Sequence, residues 1–119
     1  MQNKYIQSVF QAVDSRDATG LANFMTEDGI FRFANNPAVI GKSQIQPFLE
    51  GFFNSIQGIS HSGIEVFELP GAFIINGLVT YTRHSGTTYD CFFSNTFKMK
   101  GDLISEYLIF VDNSKLYTE

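Results

Sequence analysis

Apolar positions recur at helical spacing through the first half of the chain and predict three helices. Asp17 can accept hydrogen bonds from the first turn of the second helix, and Ser43 with Gln46 forms a capping-box pattern that starts the third, with Pro47 in its first turn. The apolar faces of the three helices are, in order, Ile6, Val9, Phe10 and Val13; Leu21, Phe24 and Met25; and Ile45, Phe48, Leu49, Phe52, Phe53 and Ile56.

The rest of the chain has the composition and turn signals of β-strands. Two acidic residues and a glycine at 27–29 predict a turn that ends the second helix, and a polar segment at 84–87 predicts a hairpin. The predicted strands are 30–33, 64–69, 72–83, 88–99 and 103–111. This order predicts a single α+β domain over residues 1–119. We expect a cone-shaped roll in which three N-terminal helices pack on a strongly curved, mainly antiparallel sheet that encloses a pocket.

Charge and composition exclude several classes of function. The net charge is −4 and no cluster of Lys or Arg is present, so nucleic acid is not an expected partner. No apolar run approaches the roughly 20 residues of a membrane helix, and the first residues do not resemble a signal peptide. The single cysteine, Cys91, fits a reducing cytoplasm and is interpreted as a small buried hydrophobe.

Aromatic content and motifs narrow the possibilities further. Thirteen phenylalanines in 119 residues require a dense core, a lined cavity or an apolar interface, and composition does not choose among them. His61 and His84 lack the spacing of metal ligands, and no glycine-rich nucleotide motif is present. We therefore expect neither a metal nor another cofactor.

Four segments in order resemble the nuclear transport factor 2-like superfamily, in its SnoaL-like and ketosteroid-isomerase-like branch. They lie at 13–31, 37–42, 79–83 and 104–117, and the resemblance covers nearly the whole chain. It implies the cone-shaped fold and a homodimer. It does not fix the activity, because this superfamily includes isomerases, cyclases, epoxide hydrolases, dehydratases and non-catalytic modules.

The resemblance also allows the isomerase residues to be compared position by position. Ketosteroid isomerases combine an Asp base with a Tyr and a protonated Asp that stabilise an enolate. The base position falls on Phe33 and the tyrosine position on Val9, while the protonated Asp corresponds to Asn95, whose amide can still donate a hydrogen bond. The steroid isomerase constellation is therefore not retained.

Strand alternation predicts which side chains face the hollow. If Asn95 points inward, Phe93 and Phe97 also do. The resemblance places Glu106, Leu108, Phe110 and Asp112 on the inner face of the last strand. The remaining side chains of that strand, Tyr107, Ile109 and Val111, are then an outward apolar row that predicts a homodimer through the outer sheet face.

Asp112 is the main candidate for proton transfer, because a carboxylate beside apolar walls has a raised pKa. Asn95 is the polar donor, and His61, Glu106 and Tyr81 are weaker candidates to assist. For Glu106 the alternative is a frayed or parity-shifted strand that exposes the side chain. Alternatively, Asp112 accepts hydrogen bonds from nearby backbone amides or pairs with Arg32 or Lys115. The predicted ligand-binding residues are Val9, Phe33, Phe48, Phe52, Phe93, Phe97, Leu108 and Phe110.

Two functions stay open at this point. In the first, the cone binds a small and largely apolar organic molecule and carries out cofactor-independent acid–base chemistry on it, of an isomerase, cyclase, dehydratase or hydrolase type. In the second, the protein is a non-catalytic ligand-binding or dimerisation module whose pocket is filled by phenylalanine. Loss of the isomerase residues favours the second function, and a carboxylate at the end of the last strand favours the first.

Overall fold

Three helices cover one face of an open six-stranded sheet in the computed structural model, which describes residues 3–118. The strand order is β2-β1-β6-β5-β4-β3, and all neighbours are antiparallel except β1 and β6. The elements are α1 (Lys4–Asp14), α2 (Ala18–Ala22), β1 (Met25–Phe33), β2 (Val39–Ile40), α3 (Lys42–Asn54), β3 (Gly58–Leu69), β4 (Ala72–Thr82), β5 (Thr88–Lys100) and β6 (Leu103–Val111). The α+β class and the covered, curved sheet are as predicted. None of the helices within residues 3–118 is long and apolar enough to cross a membrane.

The second helix is shorter than predicted. Asp17 caps it as expected, and its Oδ1 accepts a hydrogen bond from the Gly20 backbone amide at 2.9 Å. The helix ends at Ala22, however, and Met25 already belongs to β1. The predicted turn at 27–29 is instead an irregularity within β1, where the register to β6 shifts between Met25 and Ile30.

The capping box predicted for the third helix is wrong. Gly41 is the N-cap of α3 and makes no side-chain cap hydrogen bond, so Ser43 lies inside the helix. Gln46 instead donates from Nε2 to Thr19 Oγ1 at 3.0 Å, which ties α3 to α2. Pro47 therefore lies beyond the first turn, where it removes one backbone N–H donor from the helix.

The strand β3 begins six residues earlier than predicted, at Gly58. Its first half pairs with β4 in register, with Ile59 opposite Tyr81 and His61 opposite Val79. Because these pairs are continuous, Ile59 and His61 point to the same face, toward the helices. The polar and glycine-rich composition of 58–63 hid this strand from the sequence pattern.

A bulge in β6 reverses the predicted orientation of its second half. In β5, Met99 pairs with Ile104 and the residue before it, Lys98, pairs with Glu106. Ser105 is therefore an extra residue in β6. One extra residue shifts the alternation by one position. Tyr107, predicted to face outward, is consequently 2% exposed on the helix side of the sheet. The side chains that follow are affected in the same way: Ile109 lies on the inner side, and Leu108 and Phe110 lie on the outer side.

Candidate functional site

A small, partly open cavity lies between the helices and the concave face of the sheet. Its volume is about 30 Å³, enough for roughly one water molecule and far below the size of a typical ligand pocket. The lining is mostly aromatic and aliphatic: Val13, Leu21, Phe31, Phe33, Phe48, Leu49, Phe52, Phe53, Ile59, His61, Val79, Tyr81, Phe93, Asn95, Tyr107 and Ile109. The cone is therefore almost filled by its own side chains.

The predicted ligand-binding residues divide into three groups. Phe33, Phe48, Phe52 and Phe93 line the cavity. Val9 and Phe97 are fully buried in the core and lie outside the cavity lining. For Leu108 and Phe110, the predicted inward orientation is wrong, because the β6 bulge turns both to the outer face, where Phe110 is 49% exposed.

His61 and Asp14 form a polar pair at the cavity wall. His61 Nδ1 lies 2.6 Å from Asp14 Oδ1, and the His61 backbone amide donates to Asp14 Oδ2 at 3.2 Å. The imidazole side chain is 8% exposed and that of Asp14 is 32% exposed. The rings of Phe10 and Phe93 contact the imidazole at centroid distances of 4.8 and 5.0 Å. The carboxylate thus fixes the orientation of an imidazole that aromatic rings enclose.

The arrangement assigns the two nitrogens of His61 different roles. A carboxylate accepts hydrogen bonds, so the neutral imidazole carries its proton on Nδ1 and directs it to Asp14. The lone pair is then on Nε2, which can accept a proton. The carboxylate holds the imidazole in this tautomer and orientation, as it does in histidine-based acid–base sites.

Asn95 places a second polar group in the cavity lining. The side chain is 2% exposed, and its Oδ1 is buried without a hydrogen-bond partner in the described part of the chain. Across the sheet it pairs with Ile75 and Ile109, both apolar. Buried amide groups are normally hydrogen-bonded, and an unmet one is costly. A buried carbonyl oxygen without a partner is suited to accept a hydrogen bond from an O–H or N–H group of a ligand.

Two tyrosines complete the polar part of the lining. Burial strongly raises the pKa of both Tyr81 and Tyr107, so both hydroxyls are neutral at physiological pH. Neutral phenols donate hydrogen bonds and do not act as bases. Tyr81, a weaker candidate from the sequence, lies in the cavity lining together with His61 and Asn95. Tyr107, which was expected to face outward, lies there too.

The two carboxylates favoured by the sequence lie outside the cavity lining. Asp112 is exposed, and its Oδ1 accepts hydrogen bonds from the Ser114 hydroxyl at 2.6 Å and the Ser114 amide at 3.1 Å. These bonds lower the pKa of Asp112, so the predicted raised pKa is wrong and the backbone-amide alternative is correct. Glu106 pairs instead with Lys98 Nζ at 3.5 Å, on the outer face.

Asp14 is the site residue that the sequence reasoning missed. It follows Phe10 by four residues, so it continues the inward face of α1, and this spacing was a usable signal. Arg32, a possible partner of Asp112 from the sequence, has its guanidinium 5.7 Å from the centre of the Phe110 ring on the outer face.

Comparisons with known proteins agree with this architecture. A "putative polyketide cyclase" from Xanthomonas campestris pv. campestris has a TM-score of 0.84 at 17% identity, with 94% of this chain and 90% of that chain covered. A nuclear transport factor 2-like protein of unknown function from Burkholderia pseudomallei K96243 gives 0.85 at 14% identity, covering 98% and 95%. TerC, co-crystallised with polyporic acid, gives 0.81 at 17% identity, covering 96% and 93%.

At these identities the solved structures show a shared fold and nothing finer. Among curated proteins, none matches the chain significantly. The family model of the SnoaL-like domain, however, matches residues 6–107, most of the chain. The matched region includes α1 with Asp14, the His61 strand and Asn95, and it ends at Tyr107 within β6. The chain belongs to the SnoaL-like domain family.

Proposed function

We propose that the cone binds a small, largely apolar organic molecule and that His61, oriented by Asp14, transfers a proton to and from it without a cofactor. The observation that carries this proposal is the 2.6 Å contact between His61 Nδ1 and Asp14 Oδ1 at the wall of an aromatic cavity. Such a pair serves structure alone if nothing faces Nε2. Here the same cavity is also lined by Asn95, whose carbonyl oxygen has no hydrogen-bond partner among residues 3–118.

The reaction class that fits these groups is proton abstraction next to a carbonyl. His61 Nε2 takes the proton from carbon, and the electron pair of the broken C–H bond moves onto the carbonyl oxygen. The Asn95 amide or the Tyr81 hydroxyl donates a hydrogen bond to the resulting enolate. The imidazolium then returns the proton to another carbon or to a leaving hydroxyl, which completes an isomerisation or a dehydration.

Substrate binding requires the aromatic lining to move. A cavity of about 30 Å³ cannot hold an organic molecule, whose pockets usually measure about 300–1,000 Å³. Phe48 and Phe52 are only half-buried, so their rings have space to turn. Co-crystallisation of TerC with polyporic acid supports the idea that this fold takes up an organic molecule.

Deuterium exchange tests the chemistry directly. 2-Tetralone, a neutral bicyclic ketone, is incubated with the protein in D₂O, and loss of its α-proton signals is followed by NMR. We expect catalysed exchange that His61→Gln lowers by about 100-fold, the usual size of a general-base contribution. Asp14→Asn should lower it less, because the imidazole remains present but loses its fixed orientation.

Asp112→Asn is the matched control, since it removes a carboxylate that lies outside the cavity lining. Its exchange rate should equal that of the wild type. If Asp112→Asn abolishes exchange and His61→Gln does not, the assignment of the base is wrong.

The nearly filled cavity favours a second candidate, a binding or dimerisation module without catalysis. This candidate predicts that no enone, epoxide or cyclic ketone raises the melting temperature at saturating concentration, where a specific ligand must stabilise the folded state. The module is favoured over the enzyme if no compound in this screen changes the melting temperature and the protein does not accelerate deuterium exchange of 2-tetralone.

We also propose a homodimer through the outer face of the sheet. The predicted row of Tyr107, Ile109 and Val111 does not form this face, but Phe92 and Phe110 do, and they are 82% and 49% exposed. Adjacent large apolar side chains exposed on one face are typical of interaction surfaces.

Sedimentation velocity at micromolar concentration should report a particle twice the 13.4 kDa chain mass, and Phe92→Glu should convert it to monomer. Ile64→Glu is the control, because Ile64 is exposed on the helix side of the sheet. A wild-type monomer contradicts the dimer.

A further inference from the structure

A surface cleft between α3 and the C-terminal turn has a floor in common with the cone cavity. Three residues line both the cleft and the cavity: Phe33, Phe48 and Phe52. A single layer of aromatic rings therefore separates the two spaces. We infer that this cleft, called the α3 cleft below, is the entrance through which a small organic molecule reaches the cone, and that Phe48 and Phe52 set the size it admits.

Two other hollows formed by residues 3–118 offer no comparable route. The groove between α1 and β3, which contains Gln7 and Gln11, has no lining residue in common with the cavity. The hollow on the outer sheet face shares Phe93 with it, but β4 and β5 lie between the two spaces. Passage there would break the hydrogen bonds of the sheet, whereas the α3 cleft requires only the rotation of side chains.

The rings of Phe48 and Phe52 contact other aromatic rings of the cavity lining. Phe48 and Phe52 lie one turn apart on the same side of α3 and are half-buried. The Phe52 ring centroid lies 4.8 Å from that of Phe33 and 6.3 Å from that of Tyr81, and the Phe48 ring lies 5.8 Å from Phe31.

The backbone of α3 is anchored separately. Ile45, Leu49 and Phe53 are at most 4% exposed and hold the helix on the core. The rings can consequently swing toward the cleft without displacing α3.

The opposite rim of the α3 cleft is held in place. The Arg83 guanidinium donates to the carbonyls of Lys115 and Leu116, each at 2.8 Å. The Tyr117 hydroxyl lies 2.7 Å from Ser55 Oγ, which connects the C-terminal turn to the end of α3. With a fixed rim on one side and an anchored helix on the other, Phe48 and Phe52 are the parts that must move.

Gly51 allows the entrance to be blocked without changing the cavity. It lies in α3 and lines the cleft but not the cavity, and a Cβ added there meets no atom of residues 3–118 within 4 Å. Gly51→Trp should cover the cleft, and Gly51→Ala is the matched control for the change in helix propensity. Gln11→Trp places the same ring in the α1–β3 groove, and it therefore shows whether a new tryptophan outside the α3 cleft has any effect.

The experiment measures association and dissociation of 1-naphthol by stopped-flow fluorescence, with the Asn95 side-chain amide signal in NMR confirming that the probe is in the cone. The inference rests on the proposed function, that the cone binds a small organic molecule. We expect Gly51→Trp to slow both rate constants by about tenfold and to leave Kd nearly unchanged, since a narrower entrance affects both directions equally. Gly51→Ala and Gln11→Trp should bind at the wild-type rates.

Phe48→Ala supplies an independent measurement of admitted size. It should admit 9-phenanthrol, a three-ring probe, which the wild type excludes. Wild-type rates in Gly51→Trp, slower rates in Gln11→Trp, or exclusion of 9-phenanthrol by Phe48→Ala would each overturn the entrance while leaving cone binding intact. Absence of 1-naphthol binding to every variant would overturn both proposals.

Discussion

Replacement of Asn95 by leucine should stabilise the protein while removing a polar group of the site. Asn95 is 2% exposed, and its carbonyl oxygen has no hydrogen-bond partner within the described residues. A buried polar group left unmet costs about 1–3 kcal/mol, and an apolar group of similar shape does not incur this cost. The neighbours across the sheet, Ile75 and Ile109, are apolar and suit a leucine.

The expected gain in the free energy of unfolding is about 1–2 kcal/mol, because leucine will not fit the amide site perfectly. A chain of 119 residues has an unfolding entropy of about 0.25 kcal/mol/K at its melting temperature, so Asn95→Leu should raise that temperature by about 4–8 °C. Differential scanning calorimetry and urea denaturation measure this change, and 1-naphthol binding should weaken in the same variant.

Asn54→Leu is the matched control. Asn54 ends α3 and is exposed, so the same exchange should change stability by no more than about 0.5 kcal/mol. A lower melting temperature for Asn95→Leu would refute the argument, because it would mean that the amide is satisfied in the folded protein. An equal rise in both variants would show that the effect is unrelated to the buried amide.

Three further predictions concern stability. Burial raises the pKa of Tyr81 above its ordinary 10.0. The neutral hydroxyl therefore contributes fully to the free energy of unfolding below pH 10, and this contribution is lost as the pH rises further. Tyr81→Phe should accordingly make the melting temperature fall less steeply at alkaline pH. Gly77→Ala should destabilise the protein, because the new Cβ would lie 2.9 Å from the Phe93 ring and from a backbone oxygen, whereas Gly51→Ala should stabilise it by up to about 1 kcal/mol; urea denaturation compares the two. Asp17→Ala should cost about 1 kcal/mol in the same assay, because it removes the N-cap of α2.

Alternation predicted the inner face of β5 correctly, whereas the resemblance assigned the wrong residues of β6 to the inner face. β5 is paired without interruption from Thr88 to Lys98, so the alternation read from Phe93, Asn95 and Phe97 agrees with the structure. β6 contains an extra residue at Ser105, and every later side chain changes face. Alternation is a local property, but a bulge depends on how the strand pairs with its neighbour.

The candidate site was predictable only in part. The sequence identified His61, Asn95, Tyr81 and four of the phenylalanines that line the cavity, and it excluded the steroid isomerase constellation through Phe33. It also favoured Asp112, a surface carboxylate, over the one that contacts the imidazole. The spacing after Phe10 places Asp14 on the inward face of α1, but the packing of α1 against β3 decides which side chain it contacts there.

The sequence by itself determined the class of fold, the three helices and the long strands, because these depend on periodic burial within short segments. It also determined the family, through segments spread along nearly the whole chain. Only the tertiary structure decided which carboxylate meets His61, since Asp14 is 47 residues away from it along the chain, and how little room the cone retains. Those properties arise when segments that are distant along the chain pack together. The presence of thirteen phenylalanines does not by itself distinguish a filled cone from a lined cavity or an apolar interface.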